Sequence, residues 1–295
     1  MALTARHKGI TLAITGGAFW GGSGVAGQYL LQDCGFCTAW LVASRMVAAG
    51  IILLLIDACQ HHGDIFSVWR ERRNARELLI FALPGMLAVQ YSYFACIEYG
   101  NAAAATVLQY LMPAFMVLYT TVSTRRLPSG VQAGCVALAI LGTFLLVTHG
   151  NLGTLALPAL ALFWGVISGI TGAIYTMAPK RLIRTYRATL ITGWGMLIGG
   201  LCLVPWGQPW QTTGTWTALS IATFLYIIIF GTVLAFWFYL GSTKYIQPAE
   251  TGVLASMEPL TAIVLSVLLL GASFGLAEIL GAVCILATVA ILARS

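Results

Sequence analysis

Apolar residues dominate this chain in long uninterrupted runs, without the polar stripe that marks a helix lying on the surface of a soluble domain. Stretches long enough to cross the hydrocarbon of a bilayer, about 20 residues each, recur over residues 10–31, 37–57, 77–99, 102–123, 129–148, 154–177, 188–206, 217–243, 248–271 and 275–293. The pattern predicts an all-α membrane protein of ten transmembrane helices. The connections between them are short and leave no room for a soluble catalytic domain. Composition agrees: 59% of the residues are hydrophobic, 8% are charged and the mean hydropathy is +0.90, whereas soluble chains are about 25% charged.

One polar-looking pattern inside the first run needs an explanation. Gly22, Gly24 and Gly27 fit G-x-G-x-x-G behind the apolar run "ITLAITGGAF", the outline of a dinucleotide-binding turn. That turn requires an acidic residue about 20 positions on for the ribose, and Arg45 stands in that region instead. The glycines are therefore read as part of a membrane helix, where small residues permit close helix approach. The run is also too long for a signal peptide's apolar segment, and its sequence returns later in the chain.

Charge adds orientation. Arg6 and Lys8 precede the first span, Arg70, Arg72, Arg73 and Arg76 lie between the second and third, and Arg125 and Arg126 between the fourth and fifth. Lys180, Arg181, Arg184 and Arg187 follow the sixth span, Lys244 the eighth, and Arg294 the tenth. The alternate connections carry no Lys or Arg. Because short cytoplasmic loops hold the basic excess, the expected topology is N-in/C-in. The net charge of +6 is then a topology signal, and no nucleic-acid partner is expected. Of seven cysteines, Cys34 and Cys37 form a lone C-x-x-C, weak for a metal and open as a disulfide. His61, His62 and Asp64 fall in a basic loop, read as solvated. No cofactor and no metal are expected.

Internal similarity is the most informative feature. "FWGGSGVAGQY" (19–29) returns as "FWGVISGITGAIY" (163–175). A constant shift of 146 residues carries Gly85 onto Gly231, Tyr93 onto Tyr239, Tyr99 onto Tyr245, Val107 and Leu108 onto Val253 and Leu254, and Pro113 onto Pro259. Two halves of five spans follow, residues 10–148 and 154–293. Since five is odd, the second half enters the membrane from the opposite face. Inverted repeats of this kind build secondary transporters with a midplane site and alternating access.

The paired "FWG" helices, "TGVLASMEPLTAIVLSVLLLG" (251–271) with its mid-helix Glu-Pro, its earlier counterpart "ATVLQYLMPAFMVL" (105–118) and the closing "LGAVCILATVAIL" resemble the EamA-type branch of the drug/metabolite transporter superfamily. The resemblance covers nearly the whole chain as two EamA repeats. It implies a bacterial inner-membrane carrier, commonly an exporter of amino acids, related metabolites or drugs, with a cavity between two five-helix halves. One departure is visible: many members carry Gly-Glu after the ninth span where this chain has Gly271-Ala272, so no role of that glutamate transfers.

Polar residues at membrane depth are the candidate site. Glu258, near the centre of the ninth span, is a candidate to carry a coupling proton or to bonds carbonyls freed by Pro259. Arg45 holds its proton, so it needs an acceptor such as Glu258, Glu98, a helix C-terminus or a substrate carboxylate. Trp20 and Trp164 occupy equivalent mid-span places. With Gln90, Tyr91, Gln109 and Trp237 they are expected to wall a cavity for amphipathic solutes, interhelical packing being the alternative for each. Trp40, Trp206, Trp210 and Trp216 read as an interfacial belt. Pro113 and Pro259 each remove a mid-span backbone hydrogen bond and are candidate gates.

The reading is thus a secondary transporter of small amphipathic metabolites and not an enzyme. Its partners are a small-molecule substrate, the lipid bilayer and a coupling proton, and the chain acts as a monomer or homodimer. An intramembrane enzyme would need paired acids for a metal or histidines at depth, and a passive channel a ring of repeated polar residues.

Overall fold

The computed structural model describes residues 2–61, 64–148, 157–211 and 213–292. These residues are helical nearly throughout and contain no strand. In chain order the helices are α1 (Ala2–Gln28), α2 (Thr38–His61), α3 (Arg72–Ile80), α4 (Ala88–Tyr99), α5 (Ala102–Gln109), α6 (Met112–Thr124), α7 (Gly130–Thr148) and α8 (Ala159–Met177). They continue with α9 (Lys180–Thr185), α10 (Ala188–Gly207), α11 (Ala218–Ile228), α12 (Ala235–Ser242), α13 (Pro248–Leu254), α14 (Met257–Leu270) and α15 (Leu276–Leu292). Eight helical stretches are long and apolar enough to cross a membrane. Leu276–Leu292 is apolar but shorter, and the glycine-rich α1 is not among the eight.

Local chemistry explains where the helices start, stop and deform. Asn101 caps α5 by accepting from the Ala104 N–H at 2.8 Å, and Thr217 and Ser220 form a reciprocal capping box at the start of α11, each satisfying N–H groups that a helix start leaves unpaired. Gly271 ends α14 at φ 65°, a left-handed position that suits glycine. Besides one after α1 (Tyr29–Asp33), two π-helical turns widen the chain: Phe81–Leu87 around Pro84, between α3 and α4, and Ile229–Leu234, between α11 and α12. A shift of 146 residues superposes these two turns to within about two positions. Pro84 accounts for the first, since it cannot donate to the ladder. In the second, the Thr232 hydroxyl donates to the Ile227 carbonyl at 2.7 Å, taking up an acceptor that the widened turn releases.

The packing is pairwise. α2 lies along α10, α7 along α15, α4 against α8, and α1 against both α12 and α14. Glycines set these approaches: a Cβ on Gly50 of α2 would stand 2.6 Å from the Leu197 backbone nitrogen of α10. Ion pairs gather the basic connections at one end of the bundle. Arg6 reaches Glu250 at 2.7 Å, Arg181 reaches Glu77 at 2.7 Å, and Arg187 donates twice to Asp57, with Nε 2.9 Å from Oδ1. The Asp57 carboxylate holds the Arg187 guanidinium above its ordinary pKa. At the opposite end Phe36, Trp40, Trp216 and Phe224 interlock, with ring centroids 4.9–5.5 Å apart in the Phe36–Trp216, Trp40–Phe224 and Trp40–Trp216 pairs. Trp40 corrects the belt expectation. It is only 4% exposed and donates its indole N–H to the Pro209 carbonyl, whereas Trp206 and Trp210 are exposed, as a belt requires.

Candidate functional site

Two helices are interrupted in the bundle interior. The chain from Ala102 to Thr124 breaks at Tyr110 and Leu111, between α5 and α6, and the chain from Pro248 to Leu270 breaks at Ala255 and Ser256, between α13 and α14. The prolines do not kink these helices mid-course as their sequence positions suggest. Each sits in the first turn of the second half-helix, where the missing N–H costs nothing because first-turn donors have no intrahelical acceptor. The physical consequence lies one turn earlier. Pro259 would have bonded the carbonyl four residues back, that of Ala255. That carbonyl instead accepts from the Glu258 N–H at 2.9 Å and from the Tyr110 hydroxyl at 2.9 Å.

Tyr110 therefore joins the two breaks across 145 residues of sequence. Its hydroxyl also lies 3.3 Å from Glu258 Oε2. Three further tyrosines of the bundle come from different segments: Tyr93 of α4, which is buried, and Tyr175 of α8 and Tyr239 of α12, which are partly accessible. Glu258 itself is partly accessible. The Trp20 ring lies 5.1 Å from Tyr239 and 5.0 Å from Phe236. Helix α1 can sit this close because Gly21 faces the break: a Cβ there would lie 2.3 Å from the Glu258 backbone oxygen. On the related side, Gly165 of α8 packs on Leu108, just before the other break.

A second group lies nearer the ends of α2 and α4 that carry no basic residues. Arg45 is 3% exposed; its Nη2 donates to Gln90 Oε1 at 2.9 Å and its guanidinium stacks 4.6 Å from the Phe94 ring centre. Neither Glu258 nor Glu98 accepts from it, and Glu98 instead accepts from the Thr38 hydroxyl at 2.6 Å. Next to Gln90, Tyr91 meets the edge of Trp164 at 5.5 Å. Tyr93 stands beside Phe94, ring centroids 5.2 Å apart, and its hydroxyl pairs with that of Thr106 at 2.8 Å. Gln109, the last residue of α5, donates to the Ser168 hydroxyl of α8 at 3.0 Å.

The residues singled out in the sequence thus divide. Trp20 packs on Tyr239 of α12 and Glu258 meets Tyr110 at the breaks, while Arg45 pairs with Gln90 and Tyr91 with Trp164. Gln109 binds across to α8, and Trp237 stands apart: it is 43% exposed, on the face of α12 turned away from α1, because neighbouring Phe236, Phe238 and Tyr239 all face α1. The tyrosine set was not singled out. Its traces were the repeat-related Tyr93 and Tyr239, and a tyrosine three residues before Pro113. Cys34 and Cys37 are unpaired thiols, the first buried and the second exposed. Of the loop histidines, His62 and the His61 side chain lie outside the described residues. Asp64 accepts from Arg70 and, at 2.8 Å, from the Phe66 N–H. Among the described residues no group of three or more His, Cys, Asp or Glu is placed to hold a metal ion.

Comparison with known proteins follows the same outline. A family model described as "EamA-like transporter family" matches residues 7–148 and 159–294. A Salmonella typhimurium protein named "Uncharacterized inner membrane transporter YicL" is 39% identical over 287 residues, covering 96% of this chain and 94% of that one. An "Uncharacterized transporter" of Archaeoglobus fulgidus is 25% identical over 220 residues, covering 74% of this chain and 77% of its own. A solved crystal structure shares the fold at a TM-score of 0.64, with 16% identity and 98% of each chain covered.

Proposed function

The chain belongs to the EamA-like transporter family, a multi-pass transporter of the bacterial inner membrane and not an enzyme, and from that premise we propose that it carries small amphipathic metabolites outward by alternating access. Amino acids or related compounds are the leading solutes. The reading takes ten helices in two inverted halves, residues 10–148 and 154–293, with both termini inside. The observation that carries it is the pair of helix breaks meeting through Tyr110 and Ala255. Discontinuous helices at the interface of two related halves are where transporters of this build hold solute and coupling ion. The helix pairing supports it: α2 with α10 and α7 with α15 are self-equivalent pairs under such a symmetry, and α1 on α14 is the counterpart of α8 on α5 and α6. The paired π turns and the two breaks offer equivalent hinges in each half, with Pro113 and Pro259 fixing where the second half-helices begin.

In this reading the partly accessible place beside Glu258 takes the solute. Trp20 and Tyr239 provide an apolar wall, Trp164 and Tyr91 a second, and Gln90 and Gln109 supply amide donors. Counterflow in proteoliposomes loaded with an amino-acid mixture tests the mechanism. A carrier accelerates uptake when solute is present on the opposite side, whereas a passive channel does not. In the same assay, Trp20→Ala and Gln109→Ala are each expected to lower flux several-fold while leaving a folded, monodisperse protein; unchanged flux removes that residue from the site. Glu258→Gln tests coupling. If Glu258 carries the coupling proton, the variant loses the dependence of flux on the pH gradient, and a variant with wild-type rate and pH dependence sinks that role.

A further inference from the structure

Arg45 is the one described cation set deep inside a span, and it lacks the neighbour that physics demands. A guanidinium does not shed its proton in a protein, and a buried charge without a counter-charge costs several kcal/mol. Yet the chain gives Arg45 only a neutral amide, Gln90 Oε1 at 2.9 Å, and the face of Phe94 at 4.6 Å. Its Nε is buried with no acceptor. Neither carboxyl expected from the sequence is there to neutralise it: Glu98 accepts from Thr38, and Glu258 from Tyr110.

Gln90 completes the picture. Its carbonyl faces Arg45, so its amide NH2 points the other way, where its contact is the Met86 thioether at 4.0 Å, a weak acceptor. Unspent donors therefore remain on both residues, on Arg45 Nε and on the Gln90 amide. Gln90 is partly accessible, and so are its neighbours Tyr91 and Trp164.

We propose that Arg45 and Gln90 form an anion subsite that receives the carboxylate of the transported solute, making the carrier selective for carboxylate-bearing compounds. The subsite rests on the carrier reading above and adds the chemical class of one end of the solute. A carboxylate suits the place because its two oxygens match the planar donor edge of a guanidinium. The rest of the solute then extends toward the aromatic walls. A small inorganic anion shares the same chemistry and is the competing source.

The test uses purified full-length protein and a thermal-shift panel: leucine, threonine, phenylalanine, succinate and benzoate, the methyl ester of each, and sodium chloride against sodium gluconate. The subsite requires that at least one acid raise the melting temperature while its ester does not. It also requires that R45Q and Q90L lose the response; Q90L keeps the cation and serves if R45Q does not fold. Stabilisation by chloride alone, with no response to any acid, assigns the place to an inorganic anion and overturns the proposal. So do equal responses to acids and esters, responses that persist in both variants, and no response to any probe. Flux separates this from the carrier reading. Variants that still carry acids as well as wild type leave the carrier in place and overturn only the subsite. If wild type carries no solute at all, the carrier reading fails, and the stability measurements still decide whether Arg45 binds carboxylates.

Discussion

Replacing Gly21 with alanine is expected to reduce transport about tenfold or more and to lower the melting temperature. The added Cβ would stand 2.3 Å from the Glu258 backbone oxygen, 2.9 Å from Thr261 Cβ and 3.0 Å from the Ala262 nitrogen. Two of these three are backbone atoms of the half-helix that follows the break, so no side chain can swing aside. Either α1 withdraws from α14 or the break deforms. Overpacking of this kind costs about 1–3 kcal/mol, and about 1.4 kcal/mol corresponds to a tenfold change in an equilibrium. Two controls separate this from a general intolerance of alanine. Gly134 of α7 has nothing within 4 Å of its virtual Cβ, so Gly134→Ala should be neutral or stabilising by up to about 1 kcal/mol. Gly165 meets Leu108 Cδ1 at 2.4 Å and Cβ at 2.9 Å but no backbone atom, so a small shift of one side chain relieves part of the clash and Gly165→Ala should fall between the two. Wild-type flux and melting temperature in Gly21→Ala protein would mean that α1 does not seat on the break.

Asp57→Ala is expected to be the most destabilising removal of a charge at the basic end of the bundle, by about 3 kcal/mol. The Asp57 side chain is 0% exposed and holds Arg187 through two nitrogens, tying the end of α2 to the start of α10 along the most extensive helix pair of the fold. Removing one partner of a buried pair strands the other charge, which typically costs about 3–5 kcal/mol; Arg187, 36% exposed, recovers some hydration, which sets the expectation at the low end. Arg6→Ala is the contrast. Its pair with Glu250 has side chains 62% and 32% exposed, and pairs of that exposure contribute about 0–1 kcal/mol. Thermal unfolding of the purified variants in one detergent ranks them. Equal losses for Asp57→Ala and Arg6→Ala would refute the special weight given to the buried pair.

Several spans were legible from the sequence almost to the residue, and eight of the ten expected recur as helical stretches long and apolar enough to cross a membrane. The run at 102–123 corresponds to α5 and α6 together, ending at Thr124, and the run at 188–206 to α10, ending at Gly207. Crossing a bilayer depends on summed hydrophobicity over a window, a local and additive quantity. The positions of the two breaks were legible for a related reason, since a proline acts on the carbonyl four residues earlier wherever it stands. What the breaks do was not legible. Nothing in the sequence says that the acceptor left by Pro259 finds its donor in Tyr110, far back along the chain.

The same division runs through the candidate site. Arg45 was recognisable as an anomaly, but its neighbours, Gln90 and Phe94 in place of a carboxylate, depend on how α2 rotates against α4. Trp40 and Trp237 exchanged expectations: the first is enclosed by aromatic rings, and the second is exposed. A helix that is apolar on every side can present any face to lipid or to protein, because both neighbours are equally apolar. The sequence by itself therefore determined which segments enter the membrane, where the prolines release carbonyls and which charges are anomalous at depth. The tertiary structure alone decided which face of each helix meets which neighbour, and so that Tyr110 meets Glu258 and that no acid reaches Arg45.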